Sequence, residues 1–114
     1  MFDFIKTNYS QESNIILGGD FNCKLDSEDS EKSKEILEKS LVELKLLDLW
    51  KHFKGYEKGF TCYKNEKNPS RIDYIFLHNN LESSFLRMCL YKSPSLRGQK
   101  RLSDHYGISV SMNC

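Results

Sequence analysis

The sequence predicts a small domain of the mixed α/β (α+β) class, in which one long helix accompanies several strands. Leucine and isoleucine recur at spacings of three and four from about Ser33 to Trp50, with Glu and Lys between them, as in an amphipathic helix. Short runs rich in β-branched or aromatic residues precede and follow this segment and favour strands. A chain of 114 residues has room for one core, so we expect a single domain.

The elements of the first half are predicted from short patterns. Residues 2–9 carry apolar side chains near one helical face, which indicates the end of a helix. Residues 14–18 form an apolar, partly β-branched run that predicts a buried strand. Residues 25–33 are polar and acidic, and we expect a solvated loop there. The long helix is expected to stop at Lys54-Gly55.

Strands are predicted to dominate the second half. Residues 59–63 and 71–77 both have strand composition, and we expect them to form a hairpin with a long tip. Residues 85–91 predict another strand, and His105–Met112 predicts the last one. Between them, the basic, glycine-containing segment 93–101 is predicted to be a loop.

Composition narrows the classes of function. A net charge of +1 gives no support for a polyanionic partner, because nonspecific nucleic-acid binders are usually far more basic. No apolar run approaches the roughly 20 residues that a membrane span needs. The first residues lack the basic and apolar regions of a secretory signal, so we expect an intracellular protein. The cysteines lie far apart, which favours reduced thiols, some of them buried, over a zinc site or a disulfide scaffold. They are Cys23, Cys62, Cys89 and Cys114.

Three short segments place a carboxylate at or beside the end of an apolar run. They are Gly19-Asp20-Phe21-Asn22, Ser70-Arg71-Ile72-Asp73-Tyr74 and Ser103-Asp104-His105. Strand ends face the loop rim, where ligands and metals can be reached. Aspartate, asparagine and histidine together suit metal-assisted phosphodiester hydrolysis, since carboxylates bind a hard cation and histidine pairs with a carboxylate.

Each segment alone also has a simpler interpretation. The first and third have the composition of ordinary turns, and Asp73 has the position of a solvent-facing strand residue. Ser103, Asp104 and His105 do not form a serine-hydrolase triad, because successive side chains of an extended segment point to opposite sides.

Taken together and in this order, the three segments resemble the second half of exonuclease-III-like and AP-endonuclease-like enzymes of the endonuclease/exonuclease/phosphatase superfamily. The segments Gly18–Cys23, Leu47–Trp50, Phe60-Thr61 and Ser70–Asp73 are most similar to the endonucleases of LINE-type (non-LTR) retrotransposons. The resemblance extends from about Ile15 to Ser111. It implies the C-terminal half of a four-layered, DNase-I-like α/β sandwich with mainly antiparallel strands.

The resemblance implies a role for each matching residue. Asp20 matches the aspartate that orients or deprotonates the attacking water, and Asn22 matches the asparagine that holds the phosphate and positions that aspartate. His105 matches the histidine that acts at the scissile phosphate, and Asp73 matches the carboxylate that hydrogen-bonds it. Asp104 matches an aspartate that helps to hold the metal, expected to be Mg²⁺ or Mn²⁺.

The expected partner is DNA. Thr61, Tyr63 and Arg71 match positions where members of the family approach the nucleic acid. An intact element would carry a reverse transcriptase downstream, and a working retrotransposon endonuclease would act in the nucleus.

The resemblance also implies parts that cannot be placed in this sequence. The first half of the family domain supplies an asparagine, a metal-binding glutamate and a tyrosine that contacts the phosphate. We therefore expect residues 1–114 to be a partial domain without its N-terminal half, with little or no activity alone. Half a sandwich would also leave one apolar face open to association.

Two other functions are compatible with the sequence. In the first, the chain is a non-catalytic remnant that binds DNA weakly through a cluster of basic residues. An ordinary solvated loop would have the same composition as this cluster. That cluster comprises Lys92, Arg97, Lys100 and Arg101. In the second, the chain is a phosphatase of inositol phosphates or sphingolipid headgroups, although the Ser70–Phe76 segment and the leucine-rich helix argue against it.

Overall fold

The structure is a computed structural model that describes residues 2–9, 14–28, 31–55, 58–65, 67–91 and 103–112, with 82–91 described by their backbone. Its helices are α1 (Phe2–Tyr9), α2 (Lys32–Glu43) and α3 (Leu49–Lys54), with a 3₁₀ turn at Asn79–Ser84. Its strands are β1 (Ile16–Asp20), β2 (Leu46–Asp48), β3 (Asp73–His78), β4 (Phe85–Tyr91) and β5 (Gly107–Met112). This mixture of helices and antiparallel strands confirms the predicted fold class.

Strand β3 is the centre of a three-stranded antiparallel sheet with the order β1-β3-β2. Ile16 is opposite Leu77 at one end of the β1–β3 pair, and Asp20 is opposite Asp73 at the other. Strands β4 and β5 form a separate antiparallel pair. Because β1 and β3 run in opposite directions, the last residue of one meets the first residue of the other at the same end of the sheet.

The two faces of β3 are both covered. Tyr74 and Phe76 point into a cluster with residues of the helices, the β1–α2 loop and β2, while the alternate residue Leu77 packs with α3 and β5. The first cluster contains Ile5, Cys23, Leu37, Leu44, Leu46, Tyr74 and Phe76. The second contains Leu49, Trp50 and Leu77, with Ile75, Leu81, Ile108 and Val110 packed against it. The strand that carries Asp73 is therefore held rigidly from both sides.

The prediction of one helix from Ser33 to Trp50 is wrong. Helix α2 ends at Glu43, and Lys45 adopts a left-handed conformation with φ of 56°. The chain then extends as β2, which pairs with the outer edge of β3, before α3 begins. The leucines continue through this segment because helix, strand and second helix all bury apolar side chains against the same core.

The predicted hairpin between residues 59–63 and 71–77 is also wrong. Both edges of β3 are occupied, by β1 and β2, so no edge is left for residues 59–63. Cys62 instead forms isolated bridges with Ser70, just before β3, and with His105. The predicted strand at 85–91 is confirmed as β4, and the last strand begins two residues later than predicted. The predicted loop at 93–101 lies outside the described residues.

Two further expectations concern the cysteines and membrane spans. In the described part of the chain, Cys23 and Cys62 are free thiols and both are buried. The side chains of the other two cysteines are outside that part. Among the described helices, none has the length and apolarity that a membrane crossing requires.

Gly59 should be costlier to replace than Gly18. A Cβ at this position would lie 2.3 Å from Cε2 of the buried Trp50 ring, so Gly59→Ala must displace the indole. Overpacking of this kind costs about 1–3 kcal/mol of unfolding free energy, which urea denaturation would measure. The matched control is Gly18→Ala, where the nearest atom, the carbonyl oxygen of Tyr74, is 3.8 Å away. Equal losses in the two variants would contradict the steric argument.

Candidate active site

Two aspartates face each other at the end of the β1–β3 ladder. Asp20 is the last residue of β1 and Asp73 is the first residue of β3, and the two are direct cross-strand partners. Like charges in this arrangement destabilise a sheet. A positive group beside the two carboxylates would offset this repulsion.

His105 supplies such a group. Its Nδ1 lies 2.8 Å from Oδ2 of Asp73, and the ligand atoms of Asp20, Asp73 and His105 all lie within 4.8 Å of one another. A carboxylate can only accept a hydrogen bond, so Nδ1 carries the hydrogen and Nε2 is left for a ligand. The structure thus brings together three of the predicted site residues from three distant parts of the sequence.

The short segment 61–63 holds His105 in place. The backbone N–H of Tyr63 donates to the carbonyl of Asp104 at 2.7 Å, and that of Tyr106 donates to the carbonyl of Thr61 at 2.7 Å. The Ser103 hydroxyl accepts from the His105 N–H at 3.0 Å. These bonds continue the pairing from the start of β3 to the segment that carries the histidine.

Aspartates surround the imidazole and raise the pKa of His105 above its ordinary value. The hydrogen bond that Nδ1 donates to Asp73 is the largest cause, partial burial opposes it, and the charges of Asp73, Asp20 and Asp104 add to it. The imidazolium form is therefore stabilised beside Asp20 and Asp73. A histidine with this environment can hold a proton or a positive charge against an anionic ligand.

Asn22 fixes the orientation of Asp20. It adopts a left-handed conformation with φ of 50°, which asparagine tolerates better than most residues. Its backbone N–H then donates to Oδ1 of Asp20 at 2.8 Å. The Asn22 side chain itself is exposed, next to the carboxylate that its backbone positions.

A divalent cation fits the donor set at this sheet end. Asp20 and Asp73 offer carboxylate oxygens, which hard cations prefer, and their mutual repulsion is relieved by positive charge. Asp104 borders this cluster, with Oδ1 at 3.9 Å from Nε2 of His105 and its side chain half exposed. Its predicted role as a metal ligand stays a prediction.

Thr61 and Arg71 have buried side chains, and their predicted contacts with nucleic acid stay predictions. Thr61 is fully buried, and its hydroxyl accepts hydrogen bonds from the N–H groups of Ile72 and Asp73, both at 3.1 Å. Arg71 is buried as well, and its guanidinium is bound inside the protein. Both therefore support the start of β3 from within. Tyr63 is partly buried and stacks on Tyr106 with ring centroids 4.6 Å apart, and its contact with DNA stays a prediction.

The partners of Arg71 are residues that the sequence did not single out. Its Nε and Nη2 donate to Asp26 at 2.7 and 2.8 Å, and its Nη1 and Nη2 donate to Asp48 at 2.8 and 2.6 Å. The available signal was Asp48, a charged residue between Leu47 and Leu49, since a buried charge must be paired. The arginine beside Asp26 lowers the pKa of that carboxyl.

Comparison with known proteins agrees with this geometry. Residues 2–105 match the Endonuclease/Exonuclease/phosphatase family, and the chain belongs to that family. The resemblance stated from the sequence is thereby confirmed.

The chain is also similar to a transposon protein and to two proteins of known structure. The chain is 27% identical, over 119 aligned positions, to a protein of Xenopus laevis described as "Transposon TX1 uncharacterized 149 kDa protein"; the match covers 96% of this chain and 8% of that protein. The endonuclease domain of TRAS1, a telomere-specific non-LTR retrotransposon, superposes with a TM-score of 0.67 at 19% identity. That match covers 98% of this chain and 48% of the TRAS1 domain.

A second solved structure has the same fold. The 3′ phosphatase NExo from Neisseria, bound to a product DNA hairpin, has a TM-score of 0.70 at 19% identity. The match covers 99% of this chain and 50% of NExo. The expected DNase-I-like architecture is confirmed, and the chain spans about half the length of each of the two solved neighbours.

Replacing Asp73 should return the His105 pKa toward its ordinary value. In Asp73→Asn the charge-assisted hydrogen bond becomes a neutral one, so the imidazolium loses its largest source of stabilisation. The shift of the His105 Hε1 signal in an NMR pH titration would measure the change. His52, which lies in α3, gives an internal reference in the same spectra. An unchanged His105 midpoint would contradict the assigned pairing.

Removing the Asp26 charge should change how the free energy of unfolding depends on pH in the acid range. Because pairing with Arg71 lowers the pKa of Asp26, this stabilisation is present above the unfolded pKa of about 3.9 and is lost as pH falls through the folded pKa. Asp26→Asn should thus lower the free energy of unfolding at pH 7, by up to about 1 kcal/mol for a half-exposed pair, and match the wild type at low pH. Denaturant titrations from pH 2 to pH 7 would test it. Glu28→Gln removes one exposed negative charge from the same loop and is the matched control.

Proposed function

We propose that this chain carries part of a nuclease site that hydrolyses phosphodiester bonds in DNA with the help of Mg²⁺ or Mn²⁺. The observation that supports this most is the His105–Asp73 hydrogen bond of 2.8 Å beside Asp20 at one end of a rigid sheet. Membership of the family supports a hydrolytic reaction of nuclease type. The similarity to a retrotransposon endonuclease domain and to a DNA-bound phosphatase supports DNA as the substrate.

In this proposal Asp20 accepts the proton of the attacking water or orients it. Its carboxylate is held by the Asn22 N–H, and the exposed Asn22 amide donates to a phosphoryl oxygen. His105 donates from Nε2 to the scissile phosphate, and Asp73 stabilises the imidazolium through Nδ1. Removing a general acid or base of this kind costs about 10²–10⁴-fold in rate.

The carboxylates of this site would hold the cation. In our assignment Asp104 would hold it together with Asp20 and Asp73, and a bound divalent ion would supply a Lewis acid for the phosphoryl oxygen. The chain's own contribution is to place the water-orienting aspartate and the histidine on one ladder end. The β1–β3 register places Asp20 opposite Asp73, and the Cys62–His105 bridge brings the histidine to the same end of the sheet.

We further propose that residues 1–114 form one part of a larger sandwich. Both solved neighbours extend over about twice the region that matches this chain. An N-terminal half would add the metal-binding glutamate and would cover apolar surface. Exposed large apolar side chains in the described residues include Phe4, Ile16, Ile36 and Val42. In an intact mobile element, a downstream reverse transcriptase and action in the nucleus would complete this function.

Magnesium-dependent nicking of supercoiled plasmid DNA tests the proposal. The assay compares the chain alone with the chain supplemented by an N-terminal half in trans. Nicking should need Mg²⁺, stop with Asp20→Ala, and fall about 10²–10⁴-fold with His105→Ala. Asp3→Ala and His52→Ala are controls, since they remove exposed residues of the same types away from the site.

Three outcomes would contradict the assignment. Equal nicking by wild type and His105→Ala would exclude His105 from the chemistry. Release of phosphate from DNA ends without nicking would favour a phosphatase. Salt-sensitive DNA binding without cleavage, even with the added half, would favour a non-catalytic remnant.

A further inference from the structure

Arg71 connects the loop that follows β1 to the start of β3. It lies two residues before Asp73, and its guanidinium makes four hydrogen bonds of 2.6–2.8 Å to the carboxylates of Asp26 and Asp48. Its side chain is 2% exposed. Asp26 belongs to the loop that begins immediately after Asp20, and Asp48 is the last residue of β2. One buried group therefore joins three separate segments of the chain.

Two other ties hold the same loop to the same stretch of β3. The N–H of Phe21 donates to the carbonyl of Ile72 at 2.9 Å, which extends the β1–β3 ladder by one residue. The hydroxyl of Tyr74 accepts from the N–H of Leu25 at 2.9 Å and lies 2.7 Å from the carbonyl of Cys23. The loop carrying Asn22 is thus bound at its beginning, its middle and its end.

These ties decide the conformation of Asn22. Asparagine populates a φ of 50° more readily than most residues but less readily than the right-handed region, so fixing the chain on both sides favours it here. This conformation directs the Asn22 N–H to Oδ1 of Asp20. The orientation of the Asp20 carboxylate consequently depends on the far end of the loop, where Asp26 pairs with Arg71.

We propose that Arg71 is a positioning residue for this site. It holds the loop from Phe21 to Asp26 so that Asp20 and Asn22 stay aligned with the Asp73–His105 pair, without touching the substrate itself. The role rests on the proposed function for its catalytic consequence, but the alignment is a property of this chain alone. An arginine is required because its planar guanidinium can donate hydrogen bonds to two carboxylates at once, whereas a lysine provides a single point charge.

The test is amide hydrogen exchange by NMR on the whole chain carrying Arg71→Lys. We expect the protection factors of the Phe21, Asn22 and Leu25 amides to fall about tenfold more than those of the β5 amides. Mn²⁺ binding, followed in a paramagnetic titration, should weaken as well. Replacing a residue that supports a metal site typically lowers metal affinity about 10–100-fold. In the nicking assay, kcat should fall, because Asp20 and Asn22 lose their alignment with the Asp73–His105 pair.

Asp26→Asn is the second variant if Arg71→Lys fails to fold, since it releases the loop and leaves the Arg71–Asp48 pair intact. Asp20→Asn is the control that should abolish Mn²⁺ binding while loop protection is retained. A uniform loss of protection in the loop and in β5, with kcat unchanged, would overturn the proposal in favour of a merely structural role. Unchanged loop protection in both variants would also overturn it.

Failure of the proposed function gives a different result. A wild-type chain that never cleaves DNA, with the N-terminal half supplied, removes the nuclease assignment. Hydrogen exchange and Mn²⁺ binding still decide whether Arg71 aligns Asp20 with the Asp73–His105 pair.

Discussion

The antiparallel register between β1 and β3 is the constraint on which the rest of the structure depends. It places Asp20 opposite Asp73, and a slip of one residue would turn every side chain of one strand to the other face. Such a slip would remove Tyr74, Phe76 and Leu77 from their clusters. The burial of β3 therefore stabilises a contact between two carboxylates that would not be favourable by itself.

The buried ion pairs of Arg71 are a second unfavourable feature near the site. Burying a guanidinium is unfavourable, and a buried ion pair contributes little net stability compared with apolar side chains of similar size. The two carboxylates and the ring of Tyr74, whose centroid is 4.7 Å from the guanidinium carbon, offset that cost. What an apolar cluster could not provide is a directional link between the loop after β1, the end of β2 and the start of β3.

The sequence predicted what depends on neighbouring residues and failed where distant partners decide. Strand β4 followed from its own composition, and the three aspartate- and asparagine-bearing segments were identified from their position at the ends of apolar runs. The leucines from 44 to 49 concealed a change from helix to strand because both elements face one core. The burial of Arg71 was not predicted because its partners are distant in sequence: Asp26 lies 45 residues away, and Asp48 lies 23 residues away.

The site and its support differ in how they use charge. Asp20, Asp73 and Asp104 surround a single histidine with an excess of negative charge, partly exposed, so that a cation or a proton is attracted there. Asp26 and Asp48 surround a single arginine in the same way, but that charge is buried and permanent. A histidine in such surroundings suits chemistry, since it can take up or release a proton as the reaction proceeds. A fixed charge suits alignment, since it holds the same geometry at every stage. Because Arg71 and Asp73 are separated by one residue, both clusters meet the chain at the start of β3.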